Sequence, residues 1–128
     1  MLVAQAAFTQ NLTVVTAYDT LGPEGLAFAL NQGEIEFLFT SAELLPTIRA
    51  IKDQLKTLKT VIYNSPEKEN EAAKIDGLHV VQLQTLMDMD AKAEPVRPEA
   101  TDLACIMYTS GTMGNPKVYN RHWYRLSS

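Results

Sequence analysis

Short apolar runs rich in β-branched residues alternate with stretches of helical periodicity along this chain, and that alternation restricts the fold more than any other feature. Residues 12–17 hold Val14, Val15 and Thr16, a composition suited to a buried strand. Further strands are predicted at 35–39, 60–63, 78–83 and 103–108. Helices are predicted at 1–10 and from Pro23 onward. Pro23 suits a first helical position, Glu24 the first turn, and Gly33 a place just past the end. Leu26, Ala29 and Leu30 give that helix one apolar stripe. Asp19, Thr20 and Gly22 form a turn ahead of it. Strands separated by helices imply a parallel sheet with right-handed crossovers, so the fold class is α/β, a partial doubly wound, Rossmann-like sheet.

A third helical stretch follows the second strand. Thr40 and Glu43 have capping-box spacing, and Leu44, Ile48, Ile51, Leu55 and Leu58 recur for about four turns. Pro46 lacks the N–H that such a helix needs, so either the first turn is distinct or the helix kinks. Residues 64–76 are polar, with Pro66, and read as a surface loop or partial helix. Residues 87–100, with Pro95 and Pro98, read as a linker.

Composition limits the functional classes. The chain has 128 residues, enough for one domain, and its 46% hydrophobic and 20% charged content is globular. A net charge of −4 argues against a nucleic-acid partner. Cys105 is the single cysteine, so no intramolecular disulfide forms, consistent with a reducing, intracellular setting. No run approaches the 18 apolar residues of a membrane span. The apolar start, 1–8, lacks the basic region of a signal peptide.

The chemistry resides in Tyr108-Thr109-Ser110-Gly111-Thr112-Met113-Gly114-Asn115-Pro116-Lys117. Gly111 and Gly114 permit positive φ and close backbone approach. Successive N–H groups can then converge on an anion. Thr109, Ser110 and Thr112 add hydroxyl donors, Pro116 stiffens the exit, and Lys117 supplies a cation for phosphate. The string differs from the common nucleotide P-loop, because Pro116 precedes the lysine and Val118 follows it.

This string closely resembles the phosphate-binding signature of the adenylate-forming superfamily, which includes acyl-CoA synthetases, luciferases and nonribosomal peptide adenylation domains. The strand Asp102-Leu103-Ala104-Cys105-Ile106-Met107 extends the likeness upstream. Val15-Thr16-Ala17-Tyr18-Asp19-Thr20-Leu21-Gly22, with Glu24, Gly25 and Leu26, resembles the long-chain fatty acyl-CoA synthetase branch, especially its fungal members. Phe39-Thr40 and Leu44-Leu45-Pro46-Thr47 continue the likeness, which covers most of 1–117. Tyr18 and Asp19 read equally well as a strand-ending turn and as ligand contacts.

The resemblance implies a piece of the N-terminal domain of an AMP-forming long-chain fatty acid–CoA ligase. Such enzymes activate a fatty acid with ATP and Mg²⁺ through an acyl-adenylate, then transfer the acyl group to coenzyme A. It implies that Thr109, Ser110, Gly111, Thr112, Met113, Gly114, Asn115, Pro116 and Lys117 line the ATP phosphates. No catalytic residue and no metal ligand is assigned within this chain. The parent family often resides at the endoplasmic reticulum, lipid droplets or peroxisomes.

The likeness breaks after Lys117, where the family carries a glycine. Residues 1–117 are therefore expected to form a partial AMP-binding domain and 118–128 a divergent tail that departs from a strand. His122 reads as a solvated chance residue. Arg121, Trp123, Tyr124 and Arg125 read as a loosely packed terminus rather than a nucleic-acid patch. With a first helix that begins at residue 1 without a start signal ahead of it, these features suggest a truncated product that is inactive alone. The last strand is expected to lack a neighbour, leaving an open edge. The alternatives are a non-catalytic nucleotide-binding module and a product with no function.

Overall fold

The computed structural model describes residues 2–66, 74–109 and 117–122, and for residues 19, 109, 117–119 and 121 the backbone alone. The chain divides into two compact units, Met1–Leu21 with Lys92–Ser128, and Gly22–Ala91.

The first unit begins with α1 (Leu2–Thr9). Its end is a Schellman turn: Leu12 N donates to Ala7 O at 3.0 Å and Asn11 N to Phe8 O at 3.1 Å. Asn11 takes the left-handed position, with φ 52°. Asparagine tolerates that region better than other non-glycine residues, which is why the helix stops here without a glycine. β1 (Val14–Thr16) follows. It pairs in parallel with β5 (Leu103–Thr109), with Val14 beside Cys105 and Thr16 beside Met107.

β6 (Lys117–His122) pairs antiparallel with β5 on its other side. The sheet order is β1-β5-β6, so β5 is the central strand. Two expectations are corrected here. The last predicted strand has neighbours on both sides, and the chain after Lys117 continues as a strand through His122. Backbone pairing with β5 holds it there whatever its resemblance to relatives.

The stretch before β5 is tied to α1 and the turn after it. Val96 N donates to Thr9 O at 2.9 Å, and Gln10 Nε2 to Glu94 O at 3.2 Å. The predicted linker therefore has fixed hydrogen bonds despite lacking regular structure.

The second unit contains α2 (Gly22–Gln32), β2 (Phe37–Ser41), α3 (Leu45–Ile51), β3 (Thr60–Asn64), β4 (His79–Gln82) and α4 (Leu83–Met87). Its three strands run parallel in the order β2-β3-β4. The α/β class with parallel pairing is as the sequence predicts, but the strands are shared between two sheets, and β5–β6 is antiparallel.

α2 also ends in a Schellman turn, with Ile35 N on Leu30 O at 3.0 Å and Glu34 N on Asn31 O at 3.1 Å. Glu34, not Gly33, occupies the left-handed position, with φ 49°. Gly33 matters for space: a Cβ there would lie 3.1 Å from Ile35 Cδ1 and 3.2 Å from Ala29 O. Those residues are consumed by the turn, so β2 starts at Phe37, two residues later than its composition suggests.

The third helix is also shorter than its apolar repeat. Ala42–Leu44 form a 3₁₀ turn, α3 covers Leu45–Ile51, and Lys52–Gln54 form another 3₁₀ turn. Pro46 stands in the first α-helical turn, where its missing N–H costs nothing. Of the two alternatives, the distinct first turn is the one adopted. The capping box does not form. Thr40 lies within β2, and the cap of the first turn is Ser41, whose side chain makes no capping bond.

Leu45, Ile48, Leu58, Val61, Tyr63 and Ile75 form the core of this unit, with Leu26, Ile35, Leu38 and Val80 packed around them. Val61 is 0% exposed and Ile48 1%. Alternate residues of β3 face this core, the expected period of a strand. Asn31 joins the end of α2 to the turn after α3: Nδ2 donates to Gln54 O at 2.8 Å and Oδ1 accepts from Lys56 N at 2.9 Å.

Candidate functional site

Because β1 and β5 run parallel with Thr16 beside Met107, their carboxyl ends emerge at one edge of the sheet. In open α/β sheets that edge is where ligands bind. Tyr18 follows β1 there, and the 3₁₀ turn Asp19–Leu21 comes next. Thr109 ends β5 at the same edge. The ends of β1 and β5, from which the two resembling strings continue, thus lie at one edge of the first unit's sheet.

Lys117 begins β6 directly opposite Thr109 in the ladder. Antiparallel partners have Cα atoms about 4.5–5.5 Å apart. The first and last residues of the predicted phosphate loop are therefore neighbours. Ser110, Gly111, Thr112, Met113, Gly114, Asn115 and Pro116 lie outside the described residues, and for Thr109 and Lys117 the backbone alone is placed.

Below this edge the two faces of β5 differ. Ala104 is 0% exposed and Tyr108 2% exposed, four residues apart on one face. Tyr108 is therefore a packed residue near the end of β5, and burial raises its phenol pKa above the ordinary 10.0. On the opposite face, Thr16 stands beside Met107. Its Oγ1 is buried with no hydrogen-bond partner, an arrangement that costs about 1–3 kcal/mol.

The far end of β5 is anchored by a polar clasp. Asp102 Oδ2 accepts from Glu99 N at 2.9 Å and from Asn11 Nδ2 at 2.8 Å. Asp102 N returns a bond to Glu99 O at 3.1 Å, closing the turn. The Glu99 amide first, and the Asn11 amide second, hold the Asp102 carboxyl below its ordinary 3.8. Thr13 Oγ1 donates to Leu103 O at 2.7 Å.

His122 joins the same end. Its Nδ1 lies 2.9 Å from Thr101 O, and since a carbonyl only accepts, Nδ1 carries the proton. His122, expected as a solvated chance residue, thus has a defined hydrogen-bond partner, in a bond that is itself exposed. A bulge between Leu103 and Cys105 shifts the ladder so that His122 faces Leu103.

Sequence reasoning treated Asp102 only as the start of the strand motif and did not find the clasp. Its signal was local: an Asp three residues after Glu99, following Pro98, in a position to close a turn on itself. Among the described residues, no group of three His, Cys, Asp or Glu side chains gathers to hold a metal. No helix among them is long and apolar enough to cross a membrane.

Comparison with known proteins agrees with this geometry. Residues 1–120 match the AMP-binding enzyme family. Long-chain-fatty-acid–CoA ligase 1 of Schizosaccharomyces pombe is 35% identical over 121 residues, which are 91% of this chain and 18% of that protein. Fatty acyl-CoA synthetase B of Dictyostelium discoideum is 37% identical over 123 residues, again 91% of this chain and 18% of the relative. The chain thus spans about a fifth of the length of these relatives.

Among solved structures, the didomain of a carboxylic acid reductase from Segniliparus rugosus, in complex with AMP, superposes with a TM-score of 0.76 at 17% identity. It covers 98% of this chain and 20% of that one. A red-emitting luciferase from Phrixothrix hirtus gives 0.72 at 24% identity, over 94% of this chain and 23% of the other. Those two show the fold. The match to the family runs through both strings and into β6, and on it the chain belongs to the AMP-binding enzymes.

Proposed function

We propose that this chain carries the ATP-phosphate loop of an AMP-forming long-chain fatty acid–CoA ligase, and that Thr109–Lys117 hold the β- and γ-phosphates. The observation that carries the proposal is the ladder pairing of Thr109 with Lys117 at the carboxyl edge of two parallel strands. A segment rich in glycine and hydroxyls that leaves and re-enters a sheet at one point can wrap a compact anion with its amides. The backbone of Lys117 is paired with Thr109, so the proposal assigns its cation to the same anion.

In the adenylation step, negative charge shifts onto the departing pyrophosphate, and fixed donors that meet it lower the barrier. That is the part of the chemistry this segment supplies. The long-chain ligases among its relatives suggest a fatty acid and coenzyme A as the other reactants. Mg²⁺ would accompany the ATP.

The 128 residues alone represent a fragment of the catalytic unit. They supply contacts to phosphate but no identified contacts to adenine, ribose, carboxylate or thiol. The isolated chain is therefore expected to bind ATP no more tightly than about 1 mM, roughly −4 kcal/mol, and to form no acyl-CoA.

Calorimetric titration with inorganic pyrophosphate tests the loop. Lys117→Ala should weaken binding about tenfold, the effect of removing one charge-assisted hydrogen bond. Equal affinity in the variant would refute the assignment. Sustained acyl-CoA production by the isolated chain would refute its description as a fragment.

A further inference from the structure

We draw no further inference here: the strongest candidate, the outward face of the β2-β3-β4 sheet where Phe37 and Phe39 are 61% and 44% exposed, carries none because nothing in the structure shows what covers it.

Discussion

Replacing Tyr108 by alanine tests the packing of β5 separately from the proposed phosphate binding. Tyr108 is 2% exposed and lies in the central strand of its sheet. A buried aromatic ring withdraws roughly 150–250 Å² from water. At about 25 cal/mol per Å² this corresponds to roughly 4–6 kcal/mol. That is an upper figure, since an unfolded chain already shields some of its apolar surface. Large aromatic truncations in cores cost about 3–5 kcal/mol, so about 4 kcal/mol is expected.

With a urea slope of about 2 kcal/mol per molar, the unfolding midpoint should fall by about 2 M. The assay is urea-dependent hydrogen exchange read on the β5 amides. Tyr108→Phe keeps the ring and should stay within about 1 kcal/mol of the parent, with unchanged pyrophosphate affinity. The phenol adds a pH signature. Its pKa is raised in the fold, so its contribution is complete below pH 10.0 and is lost as pH rises through the higher folded value. Tyr108→Phe should remove that alkaline loss. A midpoint shift below about 0.5 M for Tyr108→Ala would show that the ring is not a packing element. Reduced pyrophosphate affinity in Tyr108→Phe at constant stability would show that the hydroxyl reaches the ligand.

The remaining predictions concern the clasp and one turn. Asp102 has a lowered pKa in the fold, so its contribution is present above pH 3.8 and is lost as pH falls through the lower folded value. Asp102→Ala should therefore flatten the acid limb of stability measured by thermal melting at a series of pH values; an unchanged limb would refute the clasp. Gly77 has φ +82° with open space around a prospective Cβ, so Gly77→Ala meets backbone strain alone. It should lower stability by about 1–2 kcal/mol in chemical denaturation, and a neutral result would mean the turn relaxes out of the left-handed region.

Much of the architecture was legible because it depends on local composition. Val14, Val15 and Thr16 identify β1, and the run from Leu103 to Tyr108 identifies β5 nearly to its ends. What the sequence obscured arose from interactions between distant residues. The repeat from Leu44 to Leu58 looks like one helix, since core-facing residues recur at similar spacing across 3₁₀ turns as across α-helix. Leu58 still reaches the core, but from beyond the helix. Gly33 looked like the terminating residue of α2, yet Glu34 takes the left-handed position, while Gly33 leaves room for Ile35.

The candidate site divides in the same way. The proposed phosphate-binding string rests on Gly111, Gly114 and Lys117 by chemistry and resemblance, and most of it lies outside the described residues. The clasp of Asn11, Glu99 and Asp102 was not legible, since Asn11 and Asp102 are 91 positions apart and long-range bonds, the β1–β5 pairing among them, bring them together. Likewise, the partition of strands between two sheets depends on long-range pairing that alternation of elements does not specify.

The pairing of Thr109 with Lys117 also makes the intervening segment an interchangeable cassette. Its entry and exit are set by the β5–β6 ladder rather than by its own sequence. Lengthening it by two glycines would add only about 0.2 kcal/mol of closure entropy. The proposed phosphate binding and the integrity of the β5–β6 pairing are then separately tunable. A graft of another anion-binding loop between the same two anchor residues would inherit a ready-made frame.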